Sequence, residues 1–354
     1  MKTELTSQCA LGLPPLLSGG ELSAWHALLN DASSIVICTH KSPDGDALGS
    51  SLALCSYLMT VGKASSIVLP DGFPDFLQWL FGSVHVVRHD KNREEAERLL
   101  HGADVIFCLD MNTSARVASM QAALDASKAR KIVLDHHEFP KIDASLLISK
   151  PHLSSTSEIV FRLVAQLDGL SRVDRYFLSC CYTGMMTDTG NFCYNNCSYP
   201  EFFQIIAYCV AHGVDKDKIY DRVYNSYSES CFRFRAYVIS EKLRVNEEKH
   251  AAYFTVSRKE LVRFKYIKGD AEGLVNEPLR IKGMRLSISL REDSEQPNLV
   301  WISLRSLSNF HCNRLAERYF NGGGHPNASG GKLFCSIEEA EQIVLRAIDA
   351  WDFT

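Results

Sequence analysis

The chain has 354 residues, which is more than one hydrophobic core usually holds, so we expect two domains. Its 38 Lys and Arg residues stand against 42 Asp and Glu residues, and the formal charge of -4 argues against long duplex nucleic acid as a partner. A local basic pocket for a short anionic substrate remains compatible with this charge. Hydrophobic residues at 46% and charged residues at 23% are typical of a soluble globular protein.

Neither a membrane span nor a disulfide framework is predicted. The apolar stretch 11–17 is interrupted by Pro14 and Pro15, which makes it too short for a span and a poor signal peptide. The 12 cysteines are scattered, and several lie inside apolar runs, as buried thiols do in a reducing compartment. We therefore expect a cytoplasmic protein with no membrane partner.

Helices and strands alternate in the first half of the chain, as expected of a doubly wound parallel sheet. A helix is predicted at 21–29, a buried strand at 35–37, and a second helix from the apolar period of 46–59. Further strands are predicted at 67–69, 84–87, 103–109 and 131–134. Further helices are predicted at 76–81, at 93–100, after Asp110 as far as Leu124, from Ser155 onward, and at 174–186.

Two polar segments are interpreted as structural first. Ser155-Thr-Ser-Glu158 precedes an apolar helix and has the pattern of a capping box. Asn112, Ser114 and Arg116 could contact a substrate or neighbouring carboxylates. Helix capping by Asn112 or Thr113, together with a solvated Arg116, is the favoured interpretation.

The stretch 36–49 combines a short apolar strand with one imidazole and two carboxylates. His40, Asp44 and Asp46 follow the strand, and in an open α/β sheet the carboxyl ends of the strands are where ligands bind. Such a set of side chains suits a hard or borderline divalent cation. A polar loop whose Asp46 caps a helix is the alternative for this stretch taken alone.

Three later segments repeat the pattern of an apolar element that ends in an ionisable group. The strand at 103–109 leads into Asp110, and the strand at 131–134 leads into Asp135-His136-His137. Asp188 follows an apolar helix within Thr-Asp-Thr-Gly. Together the four segments indicate one site built from distant parts of the chain.

With these motifs the chain resembles the DHH phosphoesterase family, whose name describes the triplet Asp135-His136-His137. The first motif is similar in the form His40-x3-Asp44-x-Asp46, the second as Asp110 and the fourth as Asp188. The segment 321–331, Asn-Gly-Gly-Gly-His-Pro-Asn-Ala-Ser-Gly-Gly, looks like the glycine-rich signature of the associated DHHA1 domain.

The resemblance implies a centre with two divalent metal ions, because four converging aspartates would otherwise repel one another. His40, Asp44 and Asp110 would hold one ion, and Asp46, Asp110, His136 and Asp188 would hold the other, with Asp110 bridging. The mixed oxygen and imidazole donors favour Mn2+, with Mg2+ or another divalent ion as alternatives. His137 would contact phosphate, assist proton transfer or orient a ligand, and Asp135 would orient a ligand, so Asp135, His136 and His137 are the catalytic candidates.

The second half of the chain shows different patterns. Residues 199–245 have helical periods and are predicted to form a helical connector. Strands are predicted at 252–256, 284–290 and 299–304, and a final helix at 337–348. We therefore expect a DHH domain at 21–198, a connector at 199–245 and a smaller α/β DHHA1 domain with a mixed sheet at 246–354.

The DHHA1-like domain is expected to select the substrate. Gly322, Gly323 and Gly324 would let backbone N–H groups approach a phosphate, and His325 would bind that phosphate or stack on a base. Arg305 and Ser306 follow a predicted strand and are candidates for a phosphate contact.

The length and the two-domain arrangement resemble the branch of oligoribonucleases and phosphoadenosine-phosphate phosphatases. This implies hydrolysis of nanoRNA, linear dinucleotides such as pApA, or 3'-phosphoadenosine 5'-phosphate. A cyclic-dinucleotide phosphodiesterase, a RecJ-like single-strand exonuclease, an inorganic pyrophosphatase and a non-catalytic nucleotide sensor are the alternatives. The sequence leaves open whether the protein forms a homodimer.

Overall fold

The computed structural model describes residues 10–82, 84–193 and 199–351. These residues form two compact units that divide between Asn225 and Ser226, within the stretch predicted as a connector. The predicted end of the first domain, at 198, lies outside the described residues. No helix in the described ranges is long and apolar enough to cross a membrane.

The first unit is built on a six-stranded sheet in which all strand pairs are parallel. Its strands are β1 (Ile35–Thr39), β2 (Ser65–Leu69), β3 (Val86–Arg88), β4 (Val105–Leu109), β5 (Arg130–Asp135) and β6 (Leu146–Ser149). The order β3-β2-β1-β4-β5-β6 runs outward from β1 in both directions. This confirms the predicted doubly wound sheet, and it places the topological switch point between β1 and β4.

Eight α-helices accompany this sheet within the described part of the first unit. They are α1 (Gly19–Asn30), α2 (Gly45–Thr60), α3 (Arg93–Gly102), α4 (Gln121–Ala126), α5 (Thr156–Asp168), α6 (Arg175–Asp188), α7 (Pro200–Ala211) and α8 (Lys216–Tyr224). Ile35 and Ile37 of β1 pack into one core with α2, α5 and α6, whereas Val36 and Cys38 pack into another with α3 and α4. Both faces of β1 are therefore buried, which explains its continuous apolar sequence.

Two local predictions for the first unit differ from the structure. The strand β6 was not predicted because it is short and Leu147, in its middle, is exposed, as edge residues often are. The helix predicted after Asp110 is instead a 3-10 segment, Ser114–Met120, followed by α4. Ala118 interrupts this segment with a φ of 49°.

The second unit has a mixed sheet, as predicted, but with six strands. Its strands are β7 (Arg244–Asn246), β8 (Ala251–Val256), β9 (Leu286–Glu292), β10 (Val300–Ser306), β11 (Gly323–His325) and β12 (Ala328–Leu333), in the order β11-β12-β10-β9-β8-β7. Of these strands, only β8, β9 and β10 were expected. The pair β8–β9 is parallel and the others are antiparallel.

Four α-helices belong to the described part of the second unit: α9 (Glu229–Tyr237), α10 (Arg258–Arg263), α11 (Asn313–Tyr319) and α12 (Ile337–Asp349). The alternate residues Leu286, Ile288 and Leu290 of β9 face a core that α11 and α12 complete. The opposite face of the sheet carries Ser289, Ser303 and Arg305, which are only partly buried.

Candidate metal centre

The predicted site residues of the first unit lie at the carboxyl edge of the parallel sheet. Thr39, at the end of β1, pairs with Leu109 at the end of β4, and Leu109 pairs with Leu134 of β5. His40, Asp110 and the triplet 135–137 therefore leave the sheet at the same level. The start of α2 adds Asp44 and Asp46, and the last residue of α6 is Asp188.

Asp110 is the centre of this arrangement. Its backbone has a φ of 57°, a left-handed conformation that Asp tolerates better than most residues. Its Oδ2 lies 3.2 Å from His40 Nε2, and its Oδ1 lies 3.5 Å from His136 Nε2. The two oxygens of one carboxylate thus face two different histidines.

The structure brings the predicted ligands together in two groups. Ligand atoms of His40, Asp44 and Asp110 lie within 4.8 Å of one another, and so do those of Asp46, His136 and Asp188. A third group of the same kind contains Asp110, Asp135 and His137. Because Asp110 Oδ1 lies 3.5 Å from His136 Nε2, the first two groups lie side by side, and the carboxylate of Asp110, which belongs to the first, also faces the second.

The two histidines in the ligand groups have ring orientations suited to metal binding. His40 Nδ1 lies 2.8 Å from Lys41 O, and His136 Nδ1 lies 3.4 Å from Leu153 O. A carbonyl oxygen can only accept, so Nδ1–H is the donor in both rings. Nε2 of each ring is then left to face the carboxylates, and this atom is the one that would bind a cation.

The electrostatics of the cluster also fit a bound cation. Burial, together with the charges of Asp110 and Asp188, raises the pKa of Asp46 well above its usual value. Burial opposes the charge of His136, yet Asp110 and Asp188 raise the pKa of that imidazole to about 10. The carboxylates thus favour positive charge in their midst, and a divalent ion would supply it.

Asp46 is held by the beginning of α5. Its Oδ2 accepts from Thr156 N at 2.7 Å, and its Oδ1 accepts from Ser157 N at 2.8 Å. Gly184 of α6 makes room for this contact, because a Cβ there would collide with Ser157 Oγ and lie 2.9 Å from Asp46 Oδ1. A Cβ at Gly49 would lie 2.6 Å from Cys180 O, so α2 and α6 approach closely where they carry the site.

His137 takes a different position from the two ligand histidines. Its Nδ1 donates to Asp135 Oδ1 at 2.7 Å, and its Nε2 accepts from Arg116 Nη1 at 2.7 Å. Burial and the guanidinium of Arg116 lower the pKa of His137 well below its usual value, so the ring is neutral. Burial and the charge of Asp110 raise the pKa of Asp135 to about 6.

The prediction of a solvated Arg116 is therefore wrong, because its side chain is partly buried against His137. Thr113 does cap the 3-10 segment through Ala115 N, while Asn112 donates to Glu138 O. The sequence signal for Arg116 was its place in the loop that follows Asp110. That signal alone does not separate a solvated arginine from one that turns inward.

The predicted capping box at 155–158 is not formed in full. Ser155 Oγ accepts from Glu158 N, as expected of a cap. Glu158 does not return to Ser155, because its carboxylate accepts from Ser154 N and Ser154 Oγ and pairs with Arg162. Tyr199 also donates to Glu158. Thr156 Oγ1 donates to Asp110 Oδ1 at 3.1 Å, a contact that sequence reasoning did not find.

The six substrate candidates lie in the second unit. Arg305 is partly buried near the end of β10, whereas the Ser306 hydroxyl is buried and bonded to Phe310 O and Asn327 Nδ2. Gly322, Gly323, Gly324 and His325 precede and form β11, which pairs with β12. A Cβ at Gly322 would collide with Gly330 O, and one at Gly324 would lie 2.7 Å from Ala328 O, but none meets an obstacle at Gly323.

Known sequences and structures resemble this chain along most of its length. The sequence model of the DHH family, N-terminal domain, matches residues 34–185, and that of the DHHA1 domain matches residues 249–351. A relative from Thermus thermophilus, named bifunctional oligoribonuclease and PAP phosphatase NrnA, is 28% identical over 317 residues, which cover 89% of each chain.

Two solved structures share the fold. The crystal structure of an exopolyphosphatase-related protein from Bacteroides fragilis is 43% identical, has a TM-score of 0.88, and is matched over 98% of its length and 95% of this chain. RecJ from Thermus thermophilus in complex with Mn2+ is 13% identical, has a TM-score of 0.53, and is matched over 55% of its length and 95% of this chain, a likeness of fold alone. From the two family matches and this 43% identity we conclude that the chain belongs to the DHH family of phosphoesterases, which are hydrolases.

Proposed function

We propose that this protein hydrolyses phosphoesters of short nucleotides with the help of two divalent ions, with Mn2+ as the first candidate. The substrates would be short oligoribonucleotides, linear dinucleotides such as pApA, and 3'-phosphoadenosine 5'-phosphate. The position of Asp110 between two donor groups carries this proposal, because a carboxylate that faces both groups could serve two neighbouring ions of a hydrolytic centre. The name of the Thermus thermophilus relative supports the choice of substrates.

The geometry supports an assignment of the residues that would hold the ions. One ion would be bound by His40, Asp44 and Asp110, and the other by Asp46, Asp110, His136 and Asp188. When bound, the ions would supply an activated water and neutralise the charge that grows on the phosphoryl oxygens. The buried carboxylates and the two Nε2 atoms would fix where the ions bind.

His137 and Asp135 would orient the site instead of carrying a proton to the substrate. The Nδ1 proton of His137 already points at Asp135, and Nε2 already accepts from Arg116. Both ring nitrogens are therefore occupied in this arrangement. Arg116 in turn places a permanent positive charge next to the cluster, where it would favour an anionic substrate.

In the second unit, Arg305, Gly323 and His325 would bind the nucleotide. A Cβ at Gly323 would stand in open space, where a ligand could approach, whereas Gly322 and Gly324 are required for the packing of β11 on β12. The Ser306 hydroxyl is already hydrogen-bonded within the unit, so we propose that Ser306 supports the position of Arg305. We further propose a cytoplasmic location, which the free thiols among the described cysteines support.

A substrate panel in Mn2+ tests this function. We expect turnover of 3'-phosphoadenosine 5'-phosphate, linear pApA and 2- to 5-mer RNA, each lost when Mn2+ is removed by a chelator and restored when it is added back. Cyclic dinucleotides and pyrophosphate complete the panel, and preferential turnover of either would replace the proposed substrates. Tight nucleotide binding without hydrolysis of any compound, in a folded and metal-loaded protein, would identify a sensor instead.

A further inference from the structure

We infer that Thr156 is a positioning residue of the metal centre, which fixes the orientation of Asp110 relative to Asp46. This inference rests on the proposed two-metal function and adds a residue that belongs to neither ligand group. The pattern around Thr156 had indicated only a helix cap.

The first turn of α5 contacts both carboxylates. Thr156 N and Ser157 N each donate to a different oxygen of Asp46, at 2.7 and 2.8 Å. The hydroxyl of the same Thr156 donates to Asp110 Oδ1 at 3.1 Å. One residue therefore bonds a carboxylate that begins α2 and a carboxylate that follows β4.

The contact with Asp110 selects the rotation of that carboxylate. Oδ1, which receives the Thr156 hydrogen bond, is the oxygen that faces His136, whereas Oδ2 faces His40. A carboxylate free to rotate about its Cβ–Cγ bond would not keep one oxygen in each group. A hydroxyl donor fixes this rotation, and each carboxylate oxygen still has a second lone pair for a cation.

The turn that carries Thr156 is itself firmly held. Glu158 and Arg162 are buried and paired at 2.7 Å, and Glu158 also accepts from Ser154 N at 3.0 Å. A donor on such a turn has little freedom, so the geometry of the two carboxylates follows that of α5.

Thr156 allows a sharp test, because valine has nearly the same shape and lacks the hydroxyl. Thr156→Val keeps the amide that bonds Asp46 and removes the donor to Asp110, whereas Thr156→Ser keeps both. Ser155→Ala is the matched control: it removes a hydrogen bond from the same turn that involves neither carboxylate. Thr156→Ala serves as a second variant without the hydroxyl if the valine variant does not fold.

The measurements are Mn2+ titration by calorimetry and electron paramagnetic resonance of the Mn2+-loaded protein, with thermal unfolding without metal as the check on folding. We expect Thr156→Val to bind Mn2+ about tenfold more weakly, the loss of roughly one hydrogen bond to a charged group. It should also lack the electron paramagnetic resonance signal of two coupled ions at Mn2+ concentrations where the wild type shows that signal. Thr156→Ser should restore both properties, and Ser155→Ala should retain them.

Two results would overturn the inference. One is wild-type Mn2+ affinity and coupling in folded Thr156→Val and Thr156→Ala. The other is an equal loss in Ser155→Ala, which would attribute the effect to helix stability. Failure of the proposed function looks different, because the wild type would then bind no pair of ions and hydrolyse no member of the substrate panel.

Discussion

The two sheets of this protein carry their polar residues in contrasting ways. At the edge of the first sheet, five elements bring carboxylates and imidazoles into contact, and burial together with the charges of neighbouring carboxylates shifts their pKa values. In the second unit, the candidate residues range from the buried Ser306 to the exposed Gly324, and glycines bring the backbone of β11 close to that of β12. The first region therefore places several ionisable groups close together, whereas the second places backbone segments close together.

This contrast indicates in which unit a small displacement of an atom should change the activity. If the first unit binds the proposed ions, each ligand atom there must keep its place within fractions of an ångström, because Asp110 faces both donor groups. A second-unit residue that contacts the substrate away from the reacting phosphorus would contribute similarly to the ground state and the transition state. The first region should therefore control turnover, and the second should control binding.

The largest effect is expected from Asp110→Ala. Loss of the shared ligand should reduce kcat more than about a thousandfold, since it weakens both proposed ion sites. The exposed Asp125 on α4 offers a control, and Asp125→Ala should retain full activity. Steady-state kinetics in Mn2+, with circular dichroism to confirm folding, measure this, and near-normal turnover in Asp110→Ala would refute the shared-ligand assignment.

A pair of glycine variants compares the two regions directly. Gly184→Ala should destabilise the first unit by about 2–3 kcal/mol and weaken Mn2+ binding, because the added methyl group collides with Ser157 and approaches Asp46. Gly323→Ala should change the free energy of unfolding by less than about 0.5 kcal/mol, since nothing lies within 4 Å of the added atom. Urea unfolding and Mn2+ titration of both variants check this. Similar changes in the free energy of unfolding and in Mn2+ affinity for the two variants would contradict the expected difference between the units.

The division between turnover and binding is tested by Arg305→Ala and His325→Ala. Each should raise KM for nucleotides about ten- to a hundredfold, the loss of one contact to a charged group, with little change in kcat. An aryl phosphodiester without a nucleoside is the control substrate and should be hydrolysed equally by all forms. If kcat falls equally on both substrates, these residues belong to the catalytic machinery and the division is wrong.

The smallest effect concerns a carboxylate of the second unit that is stabilised by direct partners. Burial opposes the charge of Glu260, but Lys242 at 2.8 Å and the donors Ser257 and Tyr237 lower its pKa from 4.5 to about 2. Its folded pKa is depressed, so its contribution is complete above pH 4.5 and is lost as the pH falls towards 2.

Allowing for solvent screening of this partly buried group, Glu260→Gln should lower stability at neutral pH by about 1–2 kcal/mol. The difference from the wild type should shrink as the pH falls below about 4.5. Urea unfolding midpoints at several pH values measure it. A difference that stays constant down to pH 3 would contradict the assigned cause.

The fold and the candidate ligands follow largely from local sequence patterns. The strands of the first sheet are continuous apolar runs, and the polar residues that follow them mark one edge. The order of the strands places His40, Asp110 and His136 at that edge without further information. The mixed sheet of the second unit was likewise predictable from the alternation in β9 and β10.

The supporting contacts were not predictable, because they join residues far apart in the chain and have no periodic signature. Arg116 reaches His137 from the loop after β4, and Thr156 reaches Asp110 from the start of α5. The sequence around Gly184 does not indicate that a side chain there would collide with Ser157. Each of these depends on the packing of whole elements, which pattern reasoning does not supply.

The hydrogen bonds between Asp46 and the start of α5 have a consequence for the order of folding. Asp46 and Thr156 are 110 residues apart, so this contact closes a long loop and forms only when β1, α2, β4, β5 and α5 are in place. In a nascent chain whose β1 has left the ribosome while α5 has not, Asp46 lacks its two amide donors. Metal affinity at this centre should therefore arise late, and binding of Mn2+ during refolding would report the completion of the first unit.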